Sequence, residues 1–203
     1  MSVAYIGLGA NLPSAAGEPA ATLAAAAERM TALGRIAARS RLYSTLPVGY
    51  VDQPRFVNAV VGIETELPPR ELLCALLEIE REFGRDRTNA VVNGPRTLDL
   101  DILLYGDLTM REPALEIPHP RLGEREFVLV PLSEIAPDTR DPCSGEKVQE
   151  LLEQLKSGLS LRSKQTPDEV VAIESDCWRS GMACVDAGGS DARTGTSQDP
   201  DQR

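Results

Sequence analysis

A mostly apolar run at residues 98–104 constrains this chain most, because it predicts a buried strand that also carries two charges. A Gly-Pro turn precedes the run and Gly106-Asp107 follows it, which is typical of strand boundaries. Side chains alternate between the faces of a strand, so Asp99 and Asp101 share one face, about 7 Å apart along the backbone. Positions 98, 100 and 102 are apolar and then face a core.

Two neighbouring carboxylates repel each other, and each resists removal from water. The pair therefore needs a compensating charge, which either divalent cations or the nearby Arg96 would supply. Magnesium suits the first interpretation, since it prefers a few carboxylate oxygens and completes its octahedron with water and phosphate. The alternative is a solvent-facing strand edge whose charges prevent aggregation.

The composition limits the class of protein. The chain has 203 residues, of which 42% are hydrophobic, so it is long enough for one domain with a real core and some length left over. Its net charge of −10 argues against general binding to nucleic acid or to an anionic membrane. We expect neither kind of partner.

The chain has no run of eighteen apolar residues and no charged segment before an apolar stretch at its start, so we expect no membrane span and no secretory signal. Its cysteines are scattered without metal-binding spacing, at positions 74, 143, 177 and 184. This pattern favours a reduced, cytoplasmic protein.

Arginine is the cation available to the first two thirds of the chain. All three lysines lie after residue 140, whereas arginines are spread throughout, and no P-loop motif is present. A ligand phosphate bound by the first 140 residues must therefore contact arginine, whose planar fork suits bidentate phosphate contacts.

The remaining periodicities predict strands and helices along the chain. Strands are predicted at residues 3–8, 35–43 and 56–65, a hairpin at 108–117, and helices at 19–33, 70–83 and 147–155. Gly34 is expected to close the first helix, and a short helix that begins at a proline is expected within 118–137. Residues 1–158 would form the domain, and the polar texture of residues 159–203 predicts a disordered tail, with a weakly docked strand at 170–173 as the alternative. Trp178 lies in this tail and receives no site role.

Several residues are candidates for a site. Phe56 and Asn58 share one face of their strand, as either an ordinary exposed pair or a platform and hydrogen-bonding group for a flat heterocycle. Gly7-Leu8-Gly9 lacks the third glycine of a dinucleotide motif, so close backbone packing is the favoured reading. His119 is the only histidine and serves either as a structural donor or as a catalyst. The loop at 85–93 leads into the aspartate strand, which favours a site there.

Five motifs, in order, resemble the 6-hydroxymethyl-7,8-dihydropterin pyrophosphokinase family of the folate pathway over residues 3–138. They are Gly9-Ala-Asn-Leu, Asp52-Gln-Pro with Phe56-x-Asn58, Gly84-Arg-x-Arg87, Gly94-Pro-Arg-Thr-Leu-Asp-Leu-Asp-Ile, and Pro118-His-Pro-Arg with Arg125-x-Phe127. The resemblance implies a ferredoxin-like α+β sandwich. It also implies transfer of the pyrophosphoryl group of ATP to the pterin hydroxymethyl group, which releases AMP.

The resemblance also implies roles for individual residues. The metal ligands would be Asp99 and Asp101, holding two Mg²⁺ ions that bridge the ATP phosphates, and the catalytic arginines would be Arg85 and Arg96. Pterin recognition would fall to Thr45, the backbone near Val48, Phe56, Asn58 and Phe127. ATP contacts would come from Glu80, Arg87, Ile102, His119 and Arg125.

For a pyrophosphokinase of this kind we expect a monomer. Two other functions compete with this one. A different magnesium-dependent nucleotidyl or phosphoryl transferase would have no use for the aromatic residues at positions 56 and 127. A non-catalytic ligand-binding module of the same fold would not need a carboxylate pair together with Arg85 and Arg96.

Overall fold

The computed structural model describes residues 1–86, 93–161 and 169–180, and in these ranges a six-stranded antiparallel sheet carries helices on both faces. The strands are β1 Ser2–Ala10, β2 Arg35–Arg39, β3 Leu42–Thr45, β4 Phe56–Thr65, β5 Asp99–Tyr105, β6 Met110–Glu112, β7 Leu115–Ile117 and β8 Val171–Ile173. The helices are α1 Pro19–Met30, α2 Pro69–Glu82, α3 Glu126–Ile135, α4 Val148–Leu161 and α5 Asp176–Ser180. In this part of the chain no helix combines the length and apolarity that a bilayer span requires.

The strand order is β5-β1-β4-β3-β8, with β2 also paired to β4 and with β6 and β7 forming a separate hairpin. The first five strands of the sheet and the two long helices between them follow the order β-α-β-β-α-β, with the second strand of that pattern divided into β2 and β3. This arrangement confirms the predicted ferredoxin-like α+β fold.

Helices α1 and α2 cover one face of the sheet. Their apolar residues recur every three or four positions, which places Leu23, Leu72 and Leu76 against the inward side chains of β1 and β4. Leu100 and Ile102 join the same core, as the alternation of their strand predicts. Full burial of each such side chain contributes about 1.5–3 kcal/mol, so this layer supplies much of the stability.

Helices α3 and α4 cover only part of the opposite face. Leu103 and Leu104 both pack there although they are consecutive, because the register between β1 and β5 shifts at this point. Ile6 pairs with Ile102 and Tyr5 with Leu104, so Leu103 is the extra residue of a β-bulge. Asp99 and Asp101 lie on this same face, beyond the edge of the helices, and their predicted shared orientation is confirmed.

The strand predicted at residues 35–43 is divided in two, and the single-strand prediction was wrong. Ser40 lies in the gap, where its N–H donates to Val60 O while its hydroxyl oxygen accepts the Val60 N–H, both at 2.9 Å. A side chain thus replaces one backbone acceptor of the ladder, and the pairing of β2 also shifts between Ile36 and Ala38. These exchanges depend on β4, so the local sequence does not reveal them.

Three helices also differ from expectation, and one of them, α4, extends to Leu161 rather than ending at Leu155. Helix α1 ends at Met30 rather than Leu33, and the next three residues make i→i−3 hydrogen bonds of a tightened last turn. Helix α3 does not begin at a proline; Pro131 lies inside it. Pro131 has no N–H to donate within the helix, and its neighbours Leu129 and Leu132 are buried in the apolar cluster on this face.

Part of the predicted tail is ordered against the sheet. Strand β8 pairs antiparallel with β3, which is the docked strand that the sequence left open, and Trp178 of α5 is buried in the core beside α1. Residues 162–168 and 181–203 lie outside the described residues, so the division at residue 158 stays a prediction.

Gly34 has a steric role rather than the expected helix-capping one. A Cβ at this position would overlap the carbonyl oxygen of Glu64 and approach Ile63 Cγ1 to 3.1 Å. We therefore expect Gly34→Ala to lower the free energy of unfolding by about 2–3 kcal/mol, measured by urea denaturation. Gly158→Ala is the control, since Gly158 lies in helix α4 with nothing within 4 Å, and it should stabilise by about 0.5–1 kcal/mol. Equal stabilities of the two variants would contradict this account.

Candidate active site

A cavity of about 320 Å³ opens on the sheet face that α3 leaves uncovered, a size typical of small-molecule sites. Two glycines of β1 line its floor. A Cβ at Gly9 would lie 3.1 Å from the Asn58 side-chain oxygen, and one at Gly7 would lie 3.3 Å from the Leu103 side chain. The Gly7-Leu8-Gly9 segment therefore permits close packing, as predicted, and places no side chain of Gly7 or Gly9 in the cavity.

The two aspartates differ in their surroundings. Asp99 accepts a hydrogen bond from Arg96 Nη1 at 2.6 Å and lies 3.5 Å from Arg85 Nη2. Burial, followed by the charge of Asp99, raises the pKa of Asp101 to about 6, and Arg125 opposes this only in part. The arginines thus compensate the charge of Asp99 more closely than that of Asp101.

This asymmetry makes the pair a suitable half-site for a divalent cation. A cation beside Asp101 would favour the ionised carboxylate, which burial and Asp99 disfavour. In the described part of the chain no three acidic, histidine or cysteine side chains cluster closely enough to hold a metal without help. The donor set fits Mg²⁺, which commonly takes one or two carboxylates and completes its shell with water and substrate phosphates.

Arg96 connects the carboxylates to an aromatic ring. Its guanidinium lies over Phe56, 5.0 Å from the ring centroid, while its buried Nε has no hydrogen-bond partner among the described groups. Asn11 fixes the backbone beneath it, accepting the Arg96 N–H at 2.7 Å through its side chain and donating its own N–H to Arg96 O at 3.0 Å. A buried, unpartnered donor beside a carboxylate pair suits an anionic ligand such as phosphate.

The other end of the cavity is aromatic. Phe56 and Phe127 both line it, and Arg125 lies over the second ring at 5.5 Å. Between the strands, the buried Asn58 side chain donates to the Thr45 hydroxyl oxygen at 2.8 Å, which fixes the orientation of the amide. Flat ring faces next to an oriented amide suit an aromatic heterocycle.

His119 is held neutral at the wall of the cavity. Its Nδ1 accepts the N–H of Arg121 at 3.1 Å, so the proton lies on Nε2, and its own N–H donates to Leu103 O at 2.9 Å. Burial and the charges of Arg125 and Arg121 lower its pKa to about 4. His119 therefore offers a neutral N–H donor near pH 7.

Comparison with known proteins identifies the family to which this chain belongs. The family model for 7,8-dihydro-6-hydroxymethylpterin-pyrophosphokinase (HPPK) matches residues 5–137, which is more than half of the chain. The chain belongs to the HPPK family. The match includes every residue that lines the cavity.

Relatives agree with this assignment. Proteins named 2-amino-4-hydroxy-6-hydroxymethyldihydropteridine pyrophosphokinase are 46% identical in Pseudomonas aeruginosa, over 73% of this chain and 88% of that protein, and 45% identical in Methylorubrum extorquens, over 76% and 94%. The fold is similar to that of the Plasmodium falciparum HPPK-DHPS crystal structure with pteroate, with a TM-score of 0.66 at 16% identity. That alignment covers 83% of this chain and 47% of the larger protein.

Most of the residues that HPPK resemblance selected line this one cavity. They are Thr45, Val48, Phe56, Asn58, Arg96, Asp99, Asp101, His119, Arg125 and Phe127. Residues from strands β3, β4 and β5, from the loops beside them and from the first turn of α3 thus converge, although Thr45 and Phe127 are 82 positions apart.

The other HPPK candidates lie elsewhere. Arg85 does not line the cavity but contacts it through its ion pair with Asp99. Glu80 is buried, and its carboxylate accepts the Leu100 N–H at 2.8 Å, so it joins α2 to β5. The Ile102 side chain faces the core under α1 and α2, which leaves only its backbone for a ligand. Arg87 lies outside the described residues.

Sequence reasoning assigned no role to Asn11 and Gln53, which connect the loops around the cavity. The Asn11 side chain donates to Gln53 Oε1 at 3.0 Å, and Gln53 Nε2 donates to Asn93 O at 2.8 Å. Both residues stand in motifs that carried the family resemblance, Gly9-Ala-Asn-Leu and Asp52-Gln-Pro. The position of these two polar side chains in loop motifs is the sequence signal that could have indicated a role at the site.

The neutral state of His119 gives a pH-dependent prediction. Its folded-state pKa of about 4 lies below the unfolded value of about 6.5, so the stability it contributes is present above pH 6.5 and is lost as the pH falls toward 4. Because His119 is the only histidine, the imidazole NMR signals of untagged protein report it without ambiguity. We expect a titration midpoint near 4 and a shallower acid loss of stability in His119→Gln. A midpoint at or above 6.5 would contradict the description of the site.

Proposed function

We propose that this protein transfers the pyrophosphoryl group of ATP to 6-hydroxymethyl-7,8-dihydropterin, giving AMP and the pterin diphosphate in folate synthesis. Membership of the HPPK family supports the proposal, as do the names of relatives at 45–46% identity. One structural observation carries it. A single cavity joins two aromatic rings and an oriented amide to a carboxylate pair flanked by arginine.

The aromatic end would bind the pterin. Phe56 and Phe127 would hold the flat ring system between their faces, and the Asn58 amide would contact its polar edge. The bond from Asn58 to Thr45 fixes the amide before the substrate arrives, so less ordering is needed on binding. Backbone groups near Val48, which also lines the cavity, would complete the contacts.

The charged end would bind the phosphates of ATP. Asp99 and Asp101 would hold two Mg²⁺ ions, which supply charge neutralisation and position the phosphate oxygens when bound. Arg96 and Arg85 already lie beside Asp99 and would exchange part of that contact for phosphate oxygens. His119 and Arg125 line the wall and would contact ATP as a neutral donor and a cation, with Arg87 as a further phosphate ligand. Glu80 and Ile102 would support β5, with any ATP contact of Ile102 made through its backbone.

The reaction needs positioning and charge neutralisation more than covalent catalysis. The pterin hydroxyl oxygen would form a bond to the β-phosphorus of ATP while the bond from that phosphorus to the α,β-bridging oxygen breaks. AMP leaves with the bridging oxygen, and the hydroxyl proton is released to the medium. Arginine side chains aimed at the phosphates would stabilise the charge that develops on the leaving group.

We also infer that the protein acts as a monomer in the cytoplasm. The described cysteines, Cys74, Cys143 and Cys177, are free thiols, which agrees with a reducing compartment.

The nucleotide that is formed from ATP, AMP or ADP, distinguishes this reaction from transfer of a single phosphoryl group. We expect the purified protein to form AMP, and not ADP, from ATP and Mg²⁺ when 6-hydroxymethyl-7,8-dihydropterin is present, as resolved by ion-exchange chromatography. Asp101→Asn keeps the shape of the side chain but removes its charge, so turnover should fall about 100-fold or more while the fold persists by circular dichroism. Asp107→Asn, in the exposed turn after β5, is the matched control and should retain the wild-type rate.

Release of ADP, or the absence of pterin-dependent AMP, would overturn the proposed reaction. A near wild-type rate for Asp101→Asn would instead leave the reaction in place and refute the role given to the carboxylate pair.

A further inference from the structure

We propose that residues 169–180, named here the clasp, position the pterin-binding end of strands β3 and β4. This inference rests on the proposed function and adds a positioning element to it. The clasp lies beyond residue 137, where the match to the family model ends.

The clasp extends the sheet next to a pterin-site residue. Strand β8 pairs antiparallel with β3, and Leu42, Tyr43 and Ser44 lie opposite Ile173, Ala172 and Val171 in that order. The next residue of β3 is Thr45, whose hydroxyl oxygen accepts from Asn58. β3 has only four residues, so the added strand covers an otherwise short edge and restricts its movement.

Trp178 anchors the clasp at its other end. Its side chain is only 6% exposed, and its indole N–H donates to Ser40 O at 2.7 Å. Ser40 lies between β2 and β3, where the strand is divided, so the indole N–H provides a hydrogen-bond donor for the Ser40 carbonyl at that gap. Arg39 lies over the indole at 5.7 Å and also pairs with Glu28 of α1. The clasp is therefore fixed to both the sheet and a helix.

Arg55 connects the clasp to the site. Its Nη1 and Nη2 contact the side-chain and backbone oxygens of Glu169 at 3.1 and 3.0 Å, and its Nε donates to Ser44 Oγ at 2.9 Å. Arg55 directly precedes Phe56, and Ser44 directly precedes Thr45. One guanidinium thus joins the clasp to the two strand ends that border the loop at residues 46–55.

The register of these strand ends explains how the clasp would influence the pterin. Thr45 pairs with Phe56, so the residue that orients the Asn58 amide lies opposite the ring proposed to stack on the substrate. A loose strand end would widen this pair and misplace the ring and the amide together. The Asp99–Asp101 pair lies on β5, with β1 and β4 between it and β3. Phe56 is connected to that pair through Arg96, so the effect at the ATP end should be smaller than at the pterin end.

Steady-state kinetics of full-length variants test the clasp. Glu169→Gln removes the ion pair to Arg55 and should raise KM for the pterin about threefold, with kcat and KM for ATP changing less than twofold. Trp178→Ala removes the anchor and should raise the same KM about tenfold, whereas Trp178→Phe should restore part of the loss. Glu174→Gln is the matched control, because Glu174 pairs with Arg179 inside the clasp and should leave every parameter unchanged.

Trp178 is the only tryptophan of the chain, so its fluorescence reports whether the clasp is docked. In the ligand-free wild type, acrylamide quenching should be weak, and Glu169→Gln should increase it. An unchanged pterin KM in both Glu169→Gln and Trp178→Ala would overturn the clasp as a positioning element. Equal changes in kcat and in both KM values would overturn it too, since they indicate a purely structural role.

The wild-type protein separates the two proposals. If the wild type forms AMP, but Glu169→Gln and Trp178→Ala leave the kinetic parameters unchanged, as the control Glu174→Gln does, the clasp fails while the proposed function stands. If the wild type forms no pterin-dependent AMP, the proposed function fails, and the clasp fails with it as a device for that substrate.

Discussion

The repulsion between Asp99 and Asp101 is the constraint on which the site depends. The strand places both carboxylates on one face, and burial raises the cost of keeping them charged. Two arginines compensate Asp99, whereas Asp101 keeps a pKa of about 6. A partly compensated pair is an unfavourable structural element but a suitable half-site for cations that arrive with a triphosphate. The cost in the ligand-free protein would thus become differential affinity for the substrate complex.

The fold holds this pair beside a site for a flat ring. The glycines at positions 7 and 9 remove side chains between β4 and β5, so both strands contribute to one floor. The bulge at Leu103 places two consecutive leucines, Leu103 and Leu104, on the face that α3 covers, so β5 contributes both to the cavity and to the cluster under α3. The uncovered half then joins a charged end to an aromatic end, and this division corresponds to the two substrates of the proposed reaction.

Local periodicity predicted much of this architecture, because strands and helices with one buried face display it in the sequence. The alternation around Asp99 and the motifs shared with the family placed most cavity residues correctly. The failures are non-local. Ser40 interrupts a strand through its bonds to β4, and the Glu80 carboxylate joins α2 to β5 by accepting the Leu100 N–H. Each of these contacts depends on a partner distant in sequence. Trp178 was assigned to a disordered tail because its surroundings are polar, and its burial depends on a groove built by other elements.

The most direct test of this account locates the cations. Crystals grown with Mn²⁺, the pterin and an ATP analogue that carries a methylene group between the α- and β-phosphorus atoms would show the metal by anomalous diffraction. The account predicts anomalous peaks within coordination distance of carboxylate oxygens of both Asp99 and Asp101, with the phosphates completing the coordination. Metal bound only to the nucleotide or at another protein site, with the two carboxylates facing solvent, would contradict it.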